Sequence, residues 1–284
     1  MRAAVVLVVV LGLAACGGGG GGPEREMLLD PDVAPVTEGD WIRLGVDTSW
    51  QWQLTGTVNA GYEVDVYDVD LFESPQALID GLHADGRTVI CYFSAGSSED
   101  WREDFSRFEA DDLGKKLGGW EGENWLDIRS PNVQQIMLDR LDMAVAKGCD
   151  GVEPDNMDAF DNPAGFDLSY RDQQAYNRFI GNAAHERDLA VGLKNDTGQL
   201  SDLLEYYDFS VNEECHRFDE CAAYGVFVQA GKPVLNAEYT QADTQSAALE
   251  LAASICPGAR AADLRTLILP LDLDDAFRVA CDDI

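Results

Sequence analysis

From residue 41 onward, short apolar runs alternate with longer stretches whose apolar positions recur at helical spacing. The runs at 43–47, 64–70, 88–94, 151–155, 190–194, 208–212, 234–238 and 267–271 are mostly rich in Val, Ile, Leu and aromatics. Such runs predict strands buried on both faces, as in a parallel sheet. Helical patterning is expected over 75–85, about 101–113, 132–147, 168–187, about 199–205, 218–230 and 242–255. Ser130-Pro131 reads as an N-cap followed by Pro in the first helical position, and Ser74-Pro75 repeats the pair. Gly148 stands where a left-handed C-terminal residue belongs. Eight strands with helices between nearly all of them predict an α/β fold, a single (β/α)₈ TIM barrel. The first unit is the weakest, because 50–59 reads as loop rather than helix. A doubly wound open sheet is the competing fold; against it, no Gly-rich dinucleotide fingerprint follows the first strand.

The segment ahead of the domain changes the picture from cytosolic to exported. Arg2 and the apolar stretch 5–13 form a leader too short to cross a bilayer as a helix. It ends in Leu13-Ala14-Ala15-Cys16, which looks like a lipobox and predicts cleavage before Cys16 with lipidation of its thiol. Gly17 to Gly22 open a linker over 17–38, which would hold a barrel domain at 39–284 off the membrane. The expectation is a monomeric cell-envelope or cell-surface lipoprotein that touches the membrane only through its anchor. Six cysteines remain, an even number that suits disulfides in an exported chain. Placed on the proposed strands, they pair as Cys91–Cys149, Cys215–Cys221 and Cys256–Cys281. The charge is lopsided, with 52 acidic against 20 basic residues and a formal net charge of −32. That argues against nucleic acid, which needs clustered Lys and Arg. It fits a solvated surface, salt tolerance, or a cationic substrate drawn in by the field.

In a barrel the C-terminal strand ends share one mouth, where active sites sit. Those ends carry Asp47, then Asp68 and Asp70, then Tyr92 and Ser94. Glu153, Asp155 and Asn156 follow, then Lys194, Asn195 and Asp196. Asn212, Glu213 and Glu214, then Glu238 and Tyr239, and finally Asp272 complete the rim. So many carboxylates at one mouth repel each other unless they bind something. Trp50, Trp52, Trp101, Trp120, Trp125 and Tyr62 fall in or near the proposed mouth loops and offer faces for sugar rings. Glycoside hydrolysis needs two carboxylates flanking the scissile bond. Metal chemistry has less support: His83, His185 and His216 have no ligand spacing, so neither metal nor cofactor is expected.

Five short segments occur in order at these positions: Trp50-Gln51-Trp52-Gln53-Leu54, Cys91-Tyr92-Phe93-Ser94-Ala95-Gly96, Gly151-Val152-Glu153-Pro154-Asp155-Asn156, Gly192-Leu193-Lys194-Asn195 and Asn212-Glu213-Glu214-Cys215. Together they resemble glycoside hydrolase family 114, the endo-α-1,4-polygalactosaminidases, over nearly the whole mature chain. The resemblance implies a (β/α)₈ barrel and carries the catalytic pair onto Asp155 and Glu213, with Glu214 the alternative to Glu213 and Glu153 a rival or helper to Asp155. It implies a polymer of α-1,4-linked galactosamine, cationic where deacetylated. Asp47, Asp68, Glu153 and Glu238 are candidates to hold its ammonium groups. Trp50, Trp52, Gln53, Tyr92, Ser94, Asn156, Lys194, Asn195 and Tyr239 complete the expected substrate-binding set. A non-catalytic sugar-binding barrel and a hydrolase of another polysaccharide are the competing functions.

Overall fold

The structure is a computed structural model that describes residues 29–284. The leader, Cys16 and the glycine run lie outside the described residues. The barrel opens with β1 (Trp50–Gln53) and β2 (Val66–Asp70), followed by α1 (Gln76–Ala84) and β3 (Thr88–Ser94). An insertion holds β4 (Ser97–Glu99), β5 (Leu113–Lys116) and β6 (Glu123–Leu126). Then come α2 (Pro131–Lys147), β7 (Gly151–Asp155), α3 (Tyr170–His185), β8 (Ala190–Lys194), α4 (Leu200–Leu203) and β9 (Phe209–Glu213). The chain closes with α5 (Cys215–Phe218), α6 (Gly225–Gln229), β10 (Val234–Tyr239), α7 (Gln245–Ala261), β11 (Leu264–Leu269) and β12 (Val279–Ala280). Strands β1, β2, β3, β7, β8, β9, β10 and β11 pair in parallel in that order. The sheet curls until β11 meets β1: Trp50 Nε1 donates to the Arg265 carbonyl at 2.8 Å, and Arg278 donates to the Trp50 carbonyl at 2.9 Å.

Strand alternation sorts the core into two shells. Trp50, Trp52, Val66, Ile90, Phe209 and Leu267 fill the barrel interior. Their neighbours Tyr67, Val69, Val89, Cys91 and Phe93 face outward onto the helices. The same alternation sends Asp68, Glu153 and Lys194 inward, above the apolar layer. Ser130 caps α2 by accepting from the Asn132 amide, Pro131 opens the helix, and Gly148 ends it at φ 78°. The disulfides are Cys91–Cys149, Cys215–Cys221 and Cys256–Cys281.

Several expectations are corrected. The first strand is 50–53, not 43–47. Residues 45–48 form a turn, with the Thr48 amide donating to the Gly45 carbonyl at 3.0 Å, and β1 pairs residue by residue with β2 from Trp50. The helix expected over 101–113 is instead two 3₁₀ turns leading into an antiparallel sheet, β4–β6–β5. There Arg102 is drawn inward by Asp70 and Glu99, and the Glu109/Asp112 capping box closes a tight turn, so helical spacing of the aromatics marks an irregular loop. The helix expected over 218–230 breaks at Asp219, φ 59°, beside the Cys215–Cys221 bridge. Ser74 caps nothing, because α1 starts one residue later, after Pro75. Residues 31–36, expected as linker, are fastened to α3 and to the loop after α4. Arg178 donates to the Pro31 carbonyl, Tyr206 to that of Val33, and Asn182 Oδ1 accepts from the Val36 amide at 2.8 Å.

Candidate active site

The site is organised around one lysine. Lys194, the last residue of β8, is buried at the C-terminal mouth. Its Nζ lies 3.0 Å from Glu153 Oε1, 3.1 Å from Asp155 Oδ1 and 3.2 Å from Glu213 Oε2. β7 supplies the first two carboxylates and β9 the third, so three consecutive strands converge on a single ammonium. The Trp52 ring lies 4.8 Å from Nζ and gives the cation an aromatic face. Glu153 is fully buried, whereas Asp155 and Glu213 open onto the groove. Burial pushes Glu153 up to about 7, against the opposing pull of Lys194.

Each of the two groove-facing carboxylates carries a tyrosine. Tyr92 donates to Asp155 Oδ2 at 2.9 Å, and Tyr239 donates to Glu213 Oε1 at 2.5 Å. Burial and the adjacent carboxylate raise both phenols well above their usual range, so they stay donors. Asn156 Nδ2 reaches Asp155 Oδ2 at 3.2 Å, and Asn195 Oδ1 accepts from the Glu213 amide at 3.0 Å. The residues after the three strands, Asn156, Asn195 and Glu214, all adopt positive φ, at 61°, 47° and 61°. That conformation suits Asn and is uncommon for Glu; such strain clusters at functional sites.

The carboxylates lie in a groove of about 1020 Å³. Trp101 and Trp120, half exposed at 51% and 48%, and the exposed Phe218 stand among its lining. Glu123 of β6 also lines the groove, where burial pushes it up to about 7 although Ser97 Oγ donates to it at 2.6 Å. Arg102 ties Asp70 to Glu99 in the wall, with contacts of 2.5 and 2.7 Å. Among the described residues, metal-ligating groups converge at Cys215, His216, Cys221 and Glu238. The two sulfurs there form a disulfide, which leaves one imidazole and one carboxylate.

Of the expected substrate-binding residues, Trp52, Tyr92, Asn156, Lys194, Asn195 and Tyr239 reach the groove. The others do not. Asp47 is exposed ahead of β1, at the opposite end of the strand from the mouth. Trp50 belongs to the barrel interior, and the buried Gln53 amide bonds the Thr55 and Thr57 carbonyls. Ser94 supports Asn156 from beneath, at 3.0 Å. Asp68 and Glu153 lie below the groove floor, fully buried. Glu238 accepts from the His216 amide in a neighbouring recess. Glu214 turns away to Arg217 at 2.6 Å, leaving Glu213 on the lysine. Glu123 escaped sequence reading because it comes from the inserted sheet and not from a barrel strand end.

A parallel eight-stranded barrel whose rim sets two carboxylates on one lysine in an open, tryptophan-flanked groove has the architecture of a glycoside hydrolase. The sequence profile of glycoside-hydrolase family GH114 matches residues 31–284, and the chain belongs to that family. The crystal structure of Aspergillus fumigatus Ega3 in complex with galactosamine is 42% identical in sequence, with a TM-score of 0.80 over 86% of this chain and 100% of that one. The glycoside hydrolase domain of Pseudomonas aeruginosa PelA shares the fold at 14% identity, with a TM-score of 0.65 over 82% of this chain and 98% of that domain. An uncharacterized protein of Deinococcus radiodurans is 29% identical over 229 residues, 67% of this chain and 71% of its own.

Proposed function

We propose that this glycoside hydrolase cuts α-1,4-linked galactosamine polymers within the chain, with Asp155 and Glu213 as its catalytic carboxylates. The observation that carries the reading is the sharing of Lys194 Nζ by both groups. The galactosamine bound to Ega3 supports the sugar, and the open groove supports internal cleavage. Two carboxylates held at 3.1 and 3.2 Å from one nitrogen favour the short separation of retaining enzymes, roughly 5–5.5 Å, over the roughly 6.5–9.5 Å that admits a water in inverting ones. The reading is therefore a retaining, double-displacement reaction. Asp155 meets Lys194, the Tyr92 hydroxyl, and the amide and side chain of Asn156, and so fits a fixed nucleophile. Glu213 is more open to solvent and fits the acid that protonates the leaving oxygen and then activates water. Export as a monomeric lipoprotein anchored at Cys16 completes the proposal; it rests on the leader sequence. Palmitate labelling, lost in Cys16→Ala, tests the anchor.

The test of activity is hydrolysis of partially deacetylated α-1,4-galactosaminogalactan by the purified protein beside Asp155→Asn and Glu213→Gln. Wild type should release oligosaccharides with the anomeric configuration kept, read by NMR at early times, and each folded variant should lose activity by orders of magnitude. Binding without cleavage would make the protein a sugar-binding barrel. Neither binding nor cleavage would refute the substrate.

A further inference from the structure

Beneath the groove floor lies a carboxyl that the proposed reaction does not use. Asp68 of β2 is 0% exposed, and neither of its oxygens meets an N–H or O–H donor among the described residues. Its partner is Glu153 of β7, also 0% exposed and within hydrogen-bonding reach. Glu153 Oε1 accepts from Lys194, but Oε2 has no N–H or O–H donor among the described residues. The ammonium donates to Glu153 at 3.0 Å and ion-pairs with Asp155 and Glu213 at 3.1 and 3.2 Å; among the described residues it makes no ion pair with Asp68. The flanking strands offer no other charge: register sets Trp52 of β1 and Ile90 of β3 beside Asp68, and the charged groups acting on it are Glu153, Asp155 and Lys194. An ionised Asp68 would be a fourth carboxylate around one cation, with unsatisfied buried oxygens. A protonated Asp68 removes the fourth negative charge, and its O–H supplies the donor that Glu153 Oε2 lacks.

We propose that Asp68 is a positioning residue held as the neutral acid, which donates to Glu153 and thereby fixes Glu153 under Lys194 and Lys194 between Asp155 and Glu213. Burial and the Glu153 charge push Asp68 well above the carboxylate range, and its hydrogen bond acts to lower Glu153, as a donor would. The kinetic consequence rests on the function proposed above; the protonation state does not.

The experiment therefore has two arms on the purified protein. Infrared spectroscopy at neutral pH should show the C=O stretch of an un-ionised carboxyl in the wild-type-minus-Asp68→Asn difference. Subtraction removes other buried acids such as Asp196, which burial raises to about 9. Absence of the band overturns the proposal, whether or not the protein cleaves the polymer. In kinetics, Asp68→Asn keeps a donor toward Glu153 and should stay within about threefold of wild-type kcat. Asp68→Leu keeps volume but loses the donor, and kcat should fall roughly tenfold to a hundredfold with KM little changed, the range for a hydrogen bond to a charged group. Equal losses in both variants, or no loss in Asp68→Leu, would sink the positioning role. Should Asp68→Leu not fold, the Asn variant and the infrared band decide. An inert wild type with the band present would refute the substrate and leave the protonated acid standing.

Discussion

Gly96 has no room for a side chain. A Cβ there would lie 1.7 Å from the Asn156 carbonyl oxygen, and the Gly96 and Ala95 amides both donate to the Asp155 carbonyl, at 3.0 and 2.9 Å. The loop after β3 thus clamps the backbone that aims Asp155. Gly96→Ala must push that backbone aside, and misplacing a reacting group by about 1 Å can cost about a hundredfold in rate. The expected result is a loss of that order in kcat with the fold retained by circular dichroism; unchanged turnover would show that the clamp is not needed. Glu123 is a second case. Its carboxyl, ordinarily near 4.5, is raised to about 7 in the fold, first by burial. Below about 4.5 both states hold the proton. Between about 4.5 and 7 the unfolded chain releases it while the folded protein keeps it, so this group makes stability fall as pH rises through that window. Glu123→Gln should flatten that part of the dependence of Tm on pH, read by calorimetry from pH 4 to 8; an unaltered profile would contradict the assignment.

Among the elements, the inserted β4–β6–β5 sheet and its adjoining loops do most to shape the groove beyond the catalytic rim. They supply Glu99, Trp101, Trp120 and Glu123 to its lining. Tryptophans half exposed beside an open groove suit stacking and cation–π contact with amino sugars; an exposed contact of that kind is worth about 0.5–1 kcal/mol. Trp120→Ala should raise KM roughly two- to fivefold on long polymer and leave kcat unchanged on the shortest substrate cleaved. A loss confined to kcat would assign Trp120 to another role. The barrel strands were legible because burial on both faces makes them short continuous apolar runs: 88–94, 151–155 and 190–194 are observed as expected. β1 was not. Gln51 and Gln53 gave Trp50–Gln53 the look of an exposed loop. In the fold, Gln53 bonds local carbonyls, and Gln51 reaches Asp275, distant in sequence, at 3.3 Å. The insertion was missed because its helix-like spacing is overruled by Arg102, which Asp70, distant in sequence, and Glu99, three residues back, draw inward.

For the whole molecule, a net charge of −32 sets the long-range field. Such a field concentrates a cationic polymer and is screened over about 10 Å at 0.1 M salt and about 3 Å at 1 M. On deacetylated substrate, kcat/KM should fall as sodium chloride rises over that range while kcat changes little. Salt-independent kcat/KM would mean that the acidity serves solubility alone. The barrel, the three cysteine pairs seen in the structure and the candidate carboxylates at the strand ends were readable along the chain, because burial pattern, chain order and residue chemistry are local properties. The family resemblance carried the catalytic roles to Asp155 and Glu213, but strand position alone could not tell that these open on the groove while Asp68 and Glu153 lie beneath it, since all four sit at or near strand ends. Only the closed barrel decided that. Strand pairing brought β7, β8 and β9 side by side, set Lys194 against three carboxylates, and left Asp68 a layer deeper, out of reach of that ammonium.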